Sequence, residues 1–97
     1  MREVRVTLIG KPGCHLCDDA REVIEAVRGE LAATGVATEF EELDILEDVR
    51  LARVHAEHIP VVQINEKRHA IWRVDRDRFR AAVERAARGP FGALRGR

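Results

Sequence analysis

The chain has 97 residues, of which 17 are Lys or Arg and 17 are Asp or Glu, so its formal net charge at pH 7 is zero. Its hydrophobic content of 45% argues against disorder, and no apolar run approaches the roughly 20 residues of a membrane span. A chain of this length forms one domain with its own core, which we place at residues 1–89, followed by a flexible tail at residues 90–97.

The neutral total conceals a charge gradient along the chain. Residues 1–66 carry 7 basic and 14 acidic side chains, whereas residues 67–97 carry 10 basic and 3 acidic ones. The N-terminus alternates charged and apolar residues, so it predicts neither a secretory signal nor a membrane anchor. We therefore expect a cytoplasmic protein that does not act at a membrane.

The first half of the chain predicts a β-α-β unit. Residues 4–9 have the composition of a buried strand, which the Gly/Pro-rich turn at residues 10–13 ends. An amphipathic helix then follows, because apolar residues recur at steps of three and four, at Leu16, Ala20, Val23, Val27 and Leu31. Gly35 is a plausible end for this helix, and residues 38–43 form a half-polar strand that a right-handed crossover joins to the first.

The second half predicts a short helix followed by a β-hairpin. The helix occupies residues 47–56, and the hairpin pairs residues 59–64 with residues 69–74 across a turn at residues 65–67. Trp72 falls at strand spacing, so we expect it to pack in the core or the hairpin, with contact to a substrate as the alternative.

An arginine-rich helix ends the predicted domain. Asp75 is a suitable N-cap, and Gly89-Pro90 should stop the helix. Its arginines could meet an acidic partner or a nucleic acid, but the interleaved carboxylates favour a solvated face. We predict no nucleic-acid binding.

The two cysteines of the chain, Cys14 and Cys17, stand where the first strand leads into the first helix. A C-x-x-C pair in a cytoplasmic β-α-β context is typical of thioredoxin-like redox chemistry. Free N–H groups and the positive end of the helix dipole favour a thiolate there. Cys14 is therefore the candidate nucleophile, and Cys17 is the candidate thiol that resolves a mixed disulfide.

Three further residues complete the candidate site. His15 lies between the cysteines, where its charge should tune the stability of the thiolate. Proline at the start of the third strand, in Ile59-Pro60, removes a ladder donor. If that bond is cis, the Ile59 backbone lies beside Cys14 and pairs with an extended substrate.

Several segments together resemble the small glutaredoxin-like proteins of bacteria, within the thioredoxin superfamily: residues 11–17, 43–45, 59–61 and 72–75. The resemblance covers residues 3 to about 87 and implies an α/β thioredoxin-like fold of order β-α-β-α-β-β-α. Its four-stranded mixed sheet would carry helices one and three on one face and helix two on the other. It also implies that the Ile59–Pro60 bond is cis. Lys11 is then expected to stabilise the Cys14 thiolate and to interact with a carboxylate of glutathione.

The chain also departs from that family. His15-Leu16 stands where glutaredoxins have Pro-Tyr, and Arg73-Val74-Asp75 replaces a glycine pair that shapes the glutathione site. We therefore predict no tightly bound cofactor, and glutathione or another thiol is expected only as a co-substrate.

The predicted function is thiol–disulfide exchange that reduces protein or small-molecule disulfides. A monomer supplied with electrons by an upstream thiol or flavin reductase fits this activity. The alternative is a redox-responsive or iron–sulfur-binding adaptor whose cysteines ligate rather than exchange. A zinc site that adds His55 and His58 to the cysteines is not predicted, because the spacing departs from that of zinc fingers.

Overall fold

The computed structural model describes residues 3–95, with side chains described for residues 3–89. The elements in chain order are β1 (Val4–Gly10), α1 (His15–Ala33), β2 (Thr38–Asp44), a 3₁₀ turn (Ile45–Glu47), α2 (Val49–His55), β3 (Val61–Ile64), β4 (Lys67–Ile71) and α3 (Arg76–Arg95). None of the helices in the described part of the chain is long and apolar enough to cross a membrane.

The four strands form one sheet in the order β2-β1-β3-β4. β1 runs parallel to β2, with Val4 opposite Thr38, and antiparallel to β3, with Ile9 opposite Val61. β3 and β4 form the antiparallel hairpin. The predicted mixed sheet and element order are therefore confirmed.

α1 and α3 pack together on one face of the sheet. Their buried positions follow helical spacing, with Ala20, Ile24, Val27 and Leu31 on α1 and Phe79, Val83 and Ala87 on α3. Leu16 and Val23, predicted on the buried face of α1, are only partly buried. The reason is that the helix turns Cys17 and Ile24 inward instead, at 1% and 0% exposure.

α2 lies on the opposite face, over a smaller cluster built on Ile9, Ile45 and Val61. The cluster places helices on both faces of the sheet, as predicted. α2 starts later than the predicted residue 47, because Asp48 is its N-cap and accepts a hydrogen bond from the Arg50 N–H at 2.9 Å. The preceding residues form the separate 3₁₀ turn.

The hairpin differs most from the sequence-based prediction. β4 spans Lys67–Ile71 rather than residues 69–74. The turn before it is tight, with Asn65 and Glu66 both left-handed at φ 51° and 70°, which suits a two-residue hairpin loop. Trp72 has φ 66° and ends the strand, and it is 52% exposed. Of the two positions predicted for Trp72, the core is therefore wrong, and the residue lies at the end of the hairpin, where its N–H bonds the Pro60 carbonyl.

α3 begins as predicted, because the Asp75 carboxylate accepts a hydrogen bond from the Arg78 N–H at 2.9 Å. At Gly89, where the sequence predicts that the helix stops, the backbone is non-helical, with φ 70° and ψ 175°. Helical backbone nevertheless resumes and continues to Arg95. The segment predicted as a tail is thus helical through residue 95, and residues 96–97 lie outside the described residues.

Candidate active site

The two cysteines are joined by a disulfide bond at the N-terminus of α1, with their Cα atoms 5.2 Å apart. Cys14 is the N-cap of the helix, and its Sγ accepts a hydrogen bond from the Cys17 N–H at 3.2 Å. Cys14 is partly exposed, whereas Cys17 is 1% exposed. An external disulfide can therefore approach Cys14 but not Cys17.

The helix terminus favours negative charge on the Cys14 sulfur. In the reduced protein, the Cys17 N–H that bonds Sγ would stabilise a thiolate, together with the dipole of a 19-residue helix. Asp18 in the first turn opposes this, but Arg21 forms an ion pair with it at 2.9 Å. The hydrogen bonds that the Arg21 guanidinium donates to the carboxylates of Glu42 and Asp18 raise the pKa of Arg21, so this cation remains charged.

Gly10, at the end of β1, determines how closely the sheet approaches the buried sulfur. A Cβ atom at this position would lie 2.7 Å from the Cys17 Sγ, so only glycine permits the contact. Sequence reasoning treated Gly10 merely as a strand breaker. The signal that could have identified it is a glycine at a buried strand end just before a C-x-x-C motif.

Lys11 and His15 lie at the same end of the molecule as the cysteines. Lys11 is exposed and lines a cavity of about 270 Å³ together with Cys17, Glu42 and Asp44. His15 is exposed on the first residue of α1, next to Cys14. Lys11 thus shares a cavity with the buried Cys17. The resemblance associated it with the thiolate of Cys14 instead.

The Ile59–Pro60 peptide bond is cis. Val61 pairs with Ile9 in the sheet, so the antiparallel register carries Pro60 to the level of Gly10, the residue packed on Cys17. Pro60 is fully buried, and Ile59 packs against the smaller core cluster. Tertiary structure therefore brings a segment distant in sequence to the redox end of the sheet.

Trp72 is bonded to the same segment through both its backbone and its side chain. Its N–H donates to the Pro60 carbonyl at 2.8 Å, and its indole Nε1–H donates to the Glu57 carbonyl at 3.3 Å. The Arg73 N–H donates to the Ile71 carbonyl at 2.7 Å, which makes Trp72 the centre of a γ-turn with positive φ. Such a backbone conformation costs of the order of 1–3 kcal/mol and is often found at functional sites.

The two histidines considered for zinc do not join the cysteines. Among the described residues, no group of three or more His, Cys, Asp or Glu side chains is arranged to hold a metal ion. The Nδ1 atoms of His55 and His58 are buried without a hydrogen-bond partner in the described structure. Burial, with Arg68 and His58 nearby, lowers the pKa of His55, which favours a neutral imidazole.

Comparisons with known proteins agree with this architecture. A model of the glutaredoxin-like domain (DUF836) matches residues 5–84. Uncharacterized proteins from Mycobacterium tuberculosis and Mycobacterium bovis are 26% identical over 93 residues, which is 96% of this chain and 93% of each relative.

Solved structures show the same fold. A structural-genomics target protein from X. campestris is similar with a TM-score of 0.65 and 29% identity, covering 81% of this chain and 95% of that one. A thioredoxin from Halobacterium salinarum has a TM-score of 0.56 at 17% identity, covering 84% of this chain and 72% of its own. The predicted thioredoxin-like fold is thus confirmed. With the family model spanning Cys14, Cys17 and Pro60, the chain belongs to the glutaredoxin-like domain family (DUF836).

Proposed function

We propose that the protein is a thiol–disulfide oxidoreductase that reduces disulfides of proteins or small molecules through Cys14 and Cys17. The observation that carries this proposal is the unequal pair at the start of α1: a partly exposed Cys14 bonded to a Cys17 that is 1% exposed. One sulfur is accessible for attack, and the other is protected yet within bonding reach.

The reaction proceeds in two exchange steps. The Cys14 thiolate attacks one sulfur of the substrate disulfide, so that the substrate S–S bond breaks and its other sulfur leaves as a thiolate that takes a proton. The Cys17 thiol then loses its proton and attacks the Cys14 sulfur, which releases the second substrate thiolate. Two electrons pass to the substrate, and the protein is left with the Cys14–Cys17 disulfide.

Surrounding groups assist these steps. Lys11 and His15 place positive or titratable charge near the sulfurs, and the backbone at Ile59 and Pro60 offers an extended substrate a position beside Cys14. An upstream thiol or a flavin reductase restores the dithiol. Glutathione or another small thiol serves as co-substrate, without a tightly bound cofactor, and the protein works as a cytoplasmic monomer.

The adaptor alternative is less well supported. An iron–sulfur cluster is held by several cysteine ligands, whereas Cys14 and Cys17 are bonded to each other. No third His, Cys, Asp or Glu side chain within the described residues groups with them. We therefore retain exchange as the function.

Insulin reduction with dithiothreitol as electron source tests the proposal. The wild-type protein should accelerate the reaction, and Cys14→Ser should reduce it to the uncatalysed rate. In a separate reaction, Cys17→Ser that has been reduced beforehand and freed of dithiothreitol should accumulate a covalent adduct between Cys14 and insulin, visible by mass spectrometry, because no second thiol is present to resolve it. Ala33→Ser, at the exposed far end of α1, is the matched control and should behave as wild type.

Equal rates for the wild type and Cys14→Ser would refute thiol exchange. A brown preparation that loses its visible absorption in Cys14→Ser would instead support the iron–sulfur adaptor.

A further inference from the structure

A shallow surface groove lies beside the redox motif. Its volume is about 160 Å³, and it is lined by Leu16, Ala20 and Val23 of α1 and by Trp72, Arg73 and Val74 after β4. We call it the Trp72 groove. Leu16 stands between the two cysteines in sequence, so the groove begins at the redox motif itself.

Five of the seven residues that line the groove are apolar, and the largest of them, Trp72, is fixed by hydrogen bonds. Trp72 is 52% exposed, although an isolated large aromatic side chain normally gains by burial. Hydrogen bonds to Pro60 and Glu57 fix both the backbone and the indole of this residue. An exposed aromatic side chain that is rigid before binding loses little entropy when an apolar group packs on it.

The charges at the groove differ between its two sides. Arg73 also lines a neighbouring depression with Arg78, Asp75 and His69. Both arginines are exposed, and within the described part of the chain neither forms an ion pair. The depression holds two guanidinium groups against one carboxylate, that of the α3 N-cap Asp75, so this side of the groove attracts an anion.

The opposite side is acidic, because Asp19 of α1 also lines the groove. An incoming carboxylate is repelled by Asp19 and attracted by Arg73. This polarity would orient a ligand whose apolar group occupies the groove and whose acidic group points away from α1.

The length of the groove indicates a peptide. Leu16 and Val23 are seven positions apart on α1, a separation of about 10 Å at 1.5 Å per residue. An extended chain covers that distance with about three residues. A small thiol that has no apolar side chain would leave most of the groove unfilled.

We propose that the Trp72 groove recognises an extended, acidic segment of a protein substrate that carries an apolar side chain near its disulfide-bonded cysteine. This inference rests on the proposed exchange function and specifies its substrate class: a protein disulfide rather than a small-molecule disulfide.

The test uses three peptides, each disulfide-linked to 2-mercaptoethanol: Glu-Phe-Gly-Cys, Glu-Ala-Gly-Cys and Lys-Phe-Gly-Cys. Glutathione disulfide and bis(2-hydroxyethyl) disulfide are the small-molecule probes. The rate constant of each probe with the reduced full-length protein is measured at low and high salt. We expect Glu-Phe-Gly-Cys to react about tenfold faster than either other peptide, with the charge preference falling at high salt.

Variants assign the preference to the groove. Trp72→Gly should bring the Phe-to-Ala rate ratio close to one, and Trp72→Asn should do the same, because both residues tolerate positive φ and the fold is preserved. Arg73→Glu should reverse the preference for the acidic over the basic peptide.

Matched controls are Leu46→Ala, another exposed large apolar residue, at 71% exposure, and Arg88→Glu, on the last turn before Gly89. Both should retain the wild-type ratios.

The outcomes separate the two proposals. A Cys14-dependent reaction with bis(2-hydroxyethyl) disulfide supports the exchange function. If the wild type then reacts equally fast with all three peptides, or if Trp72→Gly still prefers Glu-Phe-Gly-Cys, the groove proposal is overturned and the exchange function stands. Faster reaction with glutathione disulfide than with any peptide would also overturn it. If no probe reacts, the exchange function itself fails.

Discussion

The two faces of the sheet are covered unequally. On the face of α1 and α3, 13 buried residues within the described range 3–89 form one continuous core. On the face of α2, the cluster has three buried residues, and α2 itself contributes none of them. The redox cysteines begin the helix that is anchored in the larger core, whereas the Ile59–Pro60 segment packs on the smaller one. The Cys14–Cys17 disulfide is thus anchored to the face with the larger core. The Ile59–Pro60 segment belongs to the face with the smaller cluster.

The largest expected effect contrasts equal side chains on the two faces. Leu31 of α1 is 0% exposed, so Leu31→Ala should cost about 3 kcal/mol of unfolding free energy. Leu51 of α2 is only partly buried, so Leu51→Ala should cost about 1 kcal/mol because less surface and a smaller cavity are involved. Urea unfolding of both variants measures the difference. Equal losses would show that the two faces contribute alike.

The second prediction concerns the strand end where the redox helix meets the sheet. Gly10→Ala places a Cβ atom 2.7 Å from the Cys17 Sγ, and relieving this overlap should cost about 1–3 kcal/mol. Gly29→Ala is the matched control: nothing lies within 4 Å of its Cβ position, and helix propensity should stabilise it by up to about 1 kcal/mol. Thermal unfolding compares the two. An unimpaired Gly10→Ala protein would exclude a close contact at the sulfur.

The third prediction is a loss of stability between neutral and mildly acidic pH, with a contribution from each face. Burial lowers the pKa of His69, aided by Arg78 and Arg85, and likewise lowers that of His55. The unfolded chain therefore binds these protons at higher pH than the folded protein. Stability is fully present above the ordinary histidine pKa of about 6.5 and is lost as pH falls through the lower folded values.

Urea unfolding at several pH values measures this dependence, with His69→Gln and His55→Gln each expected to make it shallower. A steeper or unchanged pH dependence in both variants would contradict the assignment.

The smallest expected effect lies at the surface of the α1–α3 pair. The Glu30 carboxylate of α1 accepts hydrogen bonds from Arg76 and Arg80 of α3. The one from Arg80 measures 2.8 Å. These arginines lower the pKa of Glu30, with the Arg76 hydrogen bond the main cause. Glu30→Gln should therefore slightly lower the stability at pH 7, and the difference from wild type should disappear in 1 M salt. Glu22→Gln, at an exposed position on the same helix, is the control, and a loss that persists in high salt would point to packing instead.

Glu30 also explains how the charge gradient is accommodated. The acidic first part of the chain meets the basic last part where α1 contacts α3. Arg76 and Arg80 therefore form ion pairs with Glu30 within the protein. The arginines left free of ion pairs among the described residues include Arg73 and Arg78, beside the redox end. The linear sequence does not show which arginines are paired and which are not.

Local patterns predicted the elements well where one interaction dominates. The helical period of α1, with Ala20, Val27 and Leu31 buried, and the Asp75 cap depend on neighbours in sequence, and the structure has both. The hairpin was predicted poorly, because Asn65, Glu66 and Trp72 adopt positive φ. The alternation of polar and apolar residues along a strand does not reveal that a Glu or a Trp adopts positive φ.

The sequence by itself determined the cysteine pair at a strand–helix junction, the order of the elements and their apolar faces, because these follow from spacing and composition. Only the tertiary structure decided which sulfur is accessible, that Gly10 contacts Cys17, and that Trp72 lies near the redox motif. Those relations depend on strand register and on contacts between residues far apart in the chain. Local propensity does not encode them.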